Sequence, residues 1–300
     1  MANHKHLRTV IEDIHENGDR LTENLLLKLI NEFRYSNLLI AAKRESGTLN
    51  FIIYDDDDAK ITPLFTDRQE CRKFYKGEDI EILENPFELY QNIIKTSEIE
   101  GSVLNPASEK YLFSSEFILS IKNIPKTNFY SSNPYDAGEL RKLKDAIDNK
   151  PLEAFIEVAS NRGHFEALFE KLSRSTVLAM MLSANDLSAY AADGIISMQS
   201  TGPLAQMYTD RIGGEYATIF TSEEKMMHVD TDYFRYSQIV NVATIVNFVL
   251  SEDMDGIVIN PESDNVLIPR SELLKYSLGF EKFANDERLS ASIFYMFPLE

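Results

Sequence analysis

Two stretches of this chain match each other at one fixed spacing, and that match restricts the fold more than any other feature. Residues 101–112 and 256–267 are identical at six of twelve positions: Gly101 and Gly256, Val103 and Val258, Asn105 and Asn260, Pro106 and Pro261, Ser108 and Ser263, Leu112 and Leu267. The spacing is 155 residues, and a second pair stands at the same spacing. Leu64-Phe65-Thr66 is answered by Ile219-Phe220-Thr221. Matching windows that share one offset without a gap indicate an internal repeat. The expected fold class is therefore α+β: two related modules, each a mixed β-sheet flanked by helices, in a pseudo-two-fold repeat.

Each window has a local physical reading. Proline cannot donate to a sheet ladder and pushes the residue before it out of the helical region. Asparagine can close a turn through its side chain. Asn105-Pro106 and Asn260-Pro261 are thus expected where a short apolar strand leaves its sheet. In the other window Phe ends a strand and Thr opens a helix. Thr66 with Gln69, and Thr221 with Glu224, fit a capping box, in which Thr is the N-cap.

Hydrophobic spacing fills in the rest. Leu25, Leu26, Leu29, Ile30 and Phe33 predict a helix over 21–33, and 37–43 reads as a buried strand. Segments 49–54 and 60–65 read as a hairpin around Asp55 to Asp58. Asn85-Pro86 predicts a helix with Asn at the N-cap and Pro at N1. Residues 123–138 hold Pro125, Pro134 and Gly138 and read as a linker. The expected organisation is a first module over 1–122, a linker and connecting helix over 123–150, and a second module over 151–300.

The modules differ by an insertion. Ser36 to Phe65 spans 29 positions, whereas Ser175 to Phe220 spans 45, so the second copy carries 16 more residues within 183–216. This extended hairpin could serve a partner. The tail, with Ile293 to Phe297, is expected to add a strand.

Composition bounds the function. A 44% hydrophobic and 26% charged chain is ordinary for a globular protein. The net charge of −18 disfavours nucleic acid and anionic membrane surfaces, both of which are gripped by Lys and Arg. It favours a basic protein partner. The single cysteine, Cys71, allows no intrachain disulfide. With no apolar signal core after Met1, a cytoplasmic location is expected.

The Phe-Thr pair, the apolar strand ending in Asn-Pro and their spacing resemble the SseB-type ("enhanced serine sensitivity") module. The resemblance covers about 21–122 and 151–283. It implies a small bacterial cytoplasmic α/β module and carries over no catalytic residues. It also raises a rhodanese-like activity, which needs an activated thiolate cradled by backbone N–H groups. Arg72 and Lys73 follow Cys71, but Cys71 falls inside a predicted helix, and the matching position of the second copy is Met226.

Other chemistry is sparse. From Asp55 a calcium loop would need Gly and Glu where Lys60 and Thr66 stand. His4 and His6 form a weak pair on an expected floppy terminus, and His15, His164 and His228 are scattered. No phosphate-loop, dinucleotide or nucleophile-elbow motif occurs. No catalytic residues, metal or cofactor are expected. The expected role is a non-enzymatic protein-binding or regulatory protein. One alternative is an immunity or antitoxin-like protein neutralising a basic effector, and another is an enzyme with an unrecognised site. Candidate contact residues are Phe65, Thr66, Asn105, Phe220, Thr221 and Asn260 at the strand ends, with Tyr208 and Tyr216 beside the insertion. Tyr233 and Tyr236 could extend that surface.

Overall fold

The computed structural model describes residues 4–56, 59–121, 137–145, 147, 149–162, 165–172, 175–197, 205–206, 208–211, 213–275 and 295–299. The expected linker at 123–138 falls almost wholly outside them, as do Asp57, Asp58 and His164. The chain divides into two units. One comprises 1–124 with 251–253, the other 125–250 with 254–300. The protein is α+β, with four antiparallel or mixed sheets among the described residues.

The first unit begins with α1 (Lys5–Glu16) and α2 (Glu23–Tyr35). Leu7, Val10, Ile11 and Ile14 of α1 recur at helical spacing and are buried. They join one core with Leu29 and Phe33 of α2. From His4 on, the segment expected to be floppy is docked: His4 is buried and its Nε2 lies 2.9 Å from the Asn37 carbonyl oxygen. Next come β1 (Asn37–Glu45), β2 (Thr48–Phe51), β3 (Tyr54–Asp56), β4 (Ala59–Leu64), α3 (Arg68–Phe74) and β5 (Glu81–Pro86). The unit ends with α4 (Phe87–Ser97), β6 (Gly101–Leu104), β7 (Tyr111–Ser114) and α5 (Ser115–Ser120).

Two sheets form here, in orders β2-β1-β5 and β3-β4-β6-β7. The expected hairpin is split between them: β2 pairs with β1, and only β3 pairs with β4. β4 and β6 run parallel, and α3, β5 and α4 form the crossover between them. Pro86 ends β5 opposite Asn37 instead of opening α4, which starts at Phe87. A sheet end tolerates a residue with no N–H, so pairing with β1 overrides the local helix-start signal.

The second unit contains α6 (Ala137–Asp145), α7 (Lys150–Arg162), α8 (Phe165–Leu172), β8 (Thr176–Ser183), a 3-10 turn at Ser188–Tyr190, β9 (Ala191–Ala192) and β10 (Ile195–Ser197). It continues with β11 (Ala205–Gln206), β12 (Tyr208–Arg211), β13 (Gly214–Ile219), α9 (Glu223–Met227), β14 (Phe234–Asn241) and α10 (Val242–Ser251). β15 (Gly256–Ile259), β16 (Val266–Pro269) and β17 (Tyr295–Pro298) complete it. Its sheets have orders β11-β8-β14-β17-β10-β9 and β12-β13-β15-β16.

Strand register repeats between the units at the spacing of 155. Ile61 pairs with Gly101 and Tyr216 with Gly256, both in parallel. Ala42 faces Phe51, and Met181 faces Gln206. Phe51 and Gln206 are 155 apart, but Ala42 and Met181 only 139. All 16 extra residues therefore lie between β8 and β11. There β9 and β10 form, and β10 pairs with the tail strand β17. The tail adds a strand as expected, and it is the insertion together with β14 that receives it. Among the described residues no helix is long and apolar enough to cross a membrane.

Candidate functional site

The repeated motifs meet at one point in each unit. Leu39 and Phe65 exchange backbone hydrogen bonds of 2.9 and 3.0 Å, and so do Leu178 and Phe220, at 2.9 and 2.8 Å. Phe65 and Phe220 are completely buried and tie the two sheets of their own unit together. At the following residue the Thr66 N–H donates to Asn105 Oδ1 (3.0 Å), and Asn105 Nδ2 donates to Thr66 Oγ1 (2.9 Å). In the second unit Thr221 and Asn260 make the same two bonds, at 2.9 and 2.8 Å. Both asparagines adopt positive φ, +42° and +49°, as they leave β6 and β15. Asparagine tolerates this left-handed conformation better than most side chains.

The threonines are not the helix caps. Asp67 accepts from the Gln69 and Glu70 N–H groups, and Ser222 accepts from the Lys225 N–H. The N-cap moves one residue on because the Thr66 and Thr221 backbone N–H groups donate to their asparagines and their hydroxyls accept from the same side chains.

Polar groups close around each clasp. In the first unit Glu109 Oε1 accepts from Arg8 of α1 at 2.6 Å, and Oε2 accepts from Asn105 Nδ2 at 2.9 Å. The Ser108 hydroxyl lies between Glu70 and Glu109. Burial pushes the Glu109 carboxyl up, but hydrogen bonds from Asn105, its own N–H, Ser108 and Arg8 outweigh it and hold it below its ordinary value. In the second unit the Thr221 hydroxyl donates to Glu153 of α7 at 2.5 Å, and Asn260 Nδ2 donates to Asp264 at 2.6 Å. Lys225 pairs with Asp264.

The six strand-end candidates, Phe65, Thr66, Asn105, Phe220, Thr221 and Asn260, are thus brought together three by three, all with no surface exposed. Their polar atoms are engaged within the protein, so they position the surrounding loops. Tyr208 and Tyr216 lie on the paired strands β12 and β13, and β13 leads into the Phe220–Thr221 clasp; Tyr216 is half-buried. Tyr233 is exposed, whereas Tyr236 is buried and its hydroxyl accepts from the Leu187 N–H at 2.7 Å, bracing the insertion. Cys71 is buried on α3 beside Phe65 and Tyr75, and burial pushes its thiol up to about 11 despite Arg68 and Arg72.

The outer side of α3 carries a different assembly, and sequence reasoning passed over it. Phe74 is 36% exposed and Tyr54 of β3 is 40% exposed. Their rings meet edge to face at 6.2 Å, and Phe74 also packs on Tyr75 at 4.9 Å. Alongside lies a cavity of about 300 Å³ lined by Arg68, Arg72, Tyr75, Gly77, Glu78, Ile80 and Ile82. The legible signal was Arg68 and Arg72 at helical spacing followed by two aromatics, but Cys71 between them drew the reading toward thiol chemistry.

No family model matches the sequence, and no curated protein matches it. Among solved structures the chain is similar to Tic22 from Plasmodium falciparum, at 10% identity over 82% of this chain and 94% of that one, with a TM-score of 0.17. A likeness that slight bears on neither fold nor function.

Proposed function

We propose that this chain is a non-enzymatic, cytoplasmic protein-binding protein whose contact surface is the α3 face of the first unit. The observation that carries this reading is the exposed Tyr54–Phe74 ring pair beside Arg68 and Arg72. Tyrosine, phenylalanine and arginine are enriched at interface cores, where rigid rings bury area at little entropic cost. The buried clasp behind supports the face, because it fixes where β4 hands over to α3. On this reading the repeat is a tandem of SseB-type modules, and the second unit serves as scaffold.

The test is partner recovery followed by reconstitution from purified components. The intact chain and Leu112→Asp, which alters a 62% exposed leucine elsewhere, should hold the same partner. Phe74→Asp should lose it. A partner held equally by Phe74→Asp would sink the proposed face. Turnover of a metabolite by the pure protein would sink the non-enzymatic reading.

A second reading has its own support: the net charge of −18 suits an immunity-like protein that captures a basic effector. It predicts association that slows steeply as salt rises. A salt-independent rate would count against it.

A further inference from the structure

We propose that the cavity on the α3 face is an oxyanion site, which takes the carboxylate or phosphate group of a ligand with an apolar body. The inference deepens the reading of this face as the contact surface. Arg68 and Arg72 stand one helical turn apart, both line the cavity, and both are exposed. Neither makes an ion pair or hydrogen bond among the described residues, whereas Arg8 and Arg44 are each paired with a glutamate. In a chain with 48 acidic and 30 basic residues, two adjacent uncompensated guanidinium groups stand out. Guanidinium groups match carboxylate and phosphate oxygens through paired N–H donors.

Tyr75 points the same way independently. It is only 3% exposed and lines the same cavity, and its buried hydroxyl has the Tyr54 hydroxyl beside it but outside good hydrogen-bond geometry. A buried hydroxyl held this loosely gains from a stronger acceptor such as a carboxylate or phosphate oxygen. Burial, and after it the Tyr54 hydroxyl, hold the phenol above its ordinary pKa, so it stays a neutral donor. The one carboxylate on the cavity wall, Glu78, is engaged by Lys43 at 2.8 Å. Ile80 and Ile82 supply an apolar wall, and Tyr54 and Phe74 lie alongside.

The second unit lacks the set. At the spacing of 155, Arg68, Arg72 and Tyr75 are answered by Glu223, Met227 and Asp230. The site thus belongs to the first unit alone. Because the chain as a whole is strongly acidic, repulsion disfavours a polyanion, and a single anionic group on an otherwise neutral or basic ligand fits best.

The test is a titration of the full chain with inorganic phosphate and, separately, with butyrate, followed by NMR of the arginine Nε–H groups. Saturable shifts at Arg68 and Arg72 with either probe are expected, and the stronger probe tells phosphate from carboxylate ligands. The backbone N–H groups of Gly77 and Ile80, which line the same cavity and remain in every variant, should shift together with the arginines. The double variant Arg68→Gln/Arg72→Gln should abolish that backbone response, and Tyr75→Phe should weaken binding roughly tenfold, the loss of one charge-assisted hydrogen bond. Arg44→Gln, on an exposed pair elsewhere, should bind as the parent does. Unchanged thermal unfolding of each variant shows that the fold is intact. No saturable shift at millimolar probe, or a shift that the double variant keeps, overturns the proposal. The titration uses no partner protein, so its failure is separate from a failure of Phe74→Asp to release one.

Discussion

Thr66 and Asn105, thirty-nine residues apart, hold each other by two hydrogen bonds in opposite directions, and Thr221 and Asn260 do the same. Each asparagine amide also serves a carboxylate four residues on, Glu109 or Asp264. The Phe-Thr pair and the asparagine of each copy therefore close the same kind of buried junction between a strand end and a helix start.

Asn105→Ala should destabilise the first unit by roughly 2–4 kcal/mol. It strands the buried Thr66 N–H and forces alanine into the left-handed region, and both costs fall on the folded state. Asn260→Ala should cost a similar amount in the second unit. Asn105→Gly removes the backbone strain but not the lost bonds, so it should recover only part of the loss. Urea unfolding curves of the three variants check this; a loss below about 0.5 kcal/mol for Asn105→Ala, the usual range for surface changes, would refute it.

Glu109 links the junction to pH. Its folded pKa is depressed, so its contribution is present above its unfolded value of 4.5 and is lost as pH falls through the folded value. Arg8, 31% exposed in its side chain, is partly screened, so the contribution is near 1 kcal/mol. Glu109→Gln should therefore be less stable than the parent at pH 7, with the gap closing as pH falls through the depressed folded value. A gap that widens in acid would contradict the assignment.

The repeated glycine has a measurable reason too. A Cβ on Gly256, which has φ +154°, would sit 2.2 Å from the Ile268 carbonyl oxygen and 3.0 Å from Pro269 Cα. Both are backbone atoms of the paired strand β16, so they yield only if the strand moves. On Gly101 the corresponding Cβ would lie 3.3 Å from the Phe113 carbonyl oxygen. Gly256→Ala should thus cost about 3 kcal/mol or more, and Gly101→Ala about 1 kcal/mol. Thermal unfolding of the two variants side by side tests the order.

These features differ in how far they could be read in the chain alone. The strand ends at Asn105 and Asn260 were legible because proline and asparagine act within two residues of themselves. The helix caps were displaced by one position because Thr66 is claimed by Asn105, a partner that local spacing does not reveal. The start of α4 was misplaced for a related reason: β1 pairing reaches Pro86 and outweighs its helix-start preference. His4 was read as terminal slack although Leu7, Val10, Ile11 and Ile14 already spelled a buried face. Arg270, whose guanidinium closes the Val249 and Leu250 carbonyls at the end of α10, carried no local signal at all. The α3 face combined a readable spacing with a cavity that only the tertiary structure supplies.

Cys71 separates the binding reading from the sulfurtransferase one. Its side chain packs with Phe65 and Tyr75 and has no exposed surface. Burial raises the thiol to about 11, and Arg68 and Arg72, which pull it down, do not offset that. At pH 8 roughly one thiol in a thousand would then be thiolate, far below the fraction a persulfide-carrying nucleophile needs. A thiol reagent should leave the native chain unlabelled over hours at pH 8 and modify one cysteine at once in denaturant. Cys71→Val should change stability by about 1 kcal/mol at most, because the slot is apolar; the second unit fills its counterpart with Met226. Rapid labelling of the native chain, with an apparent pKa below about 8, would restore thiol chemistry as a live alternative.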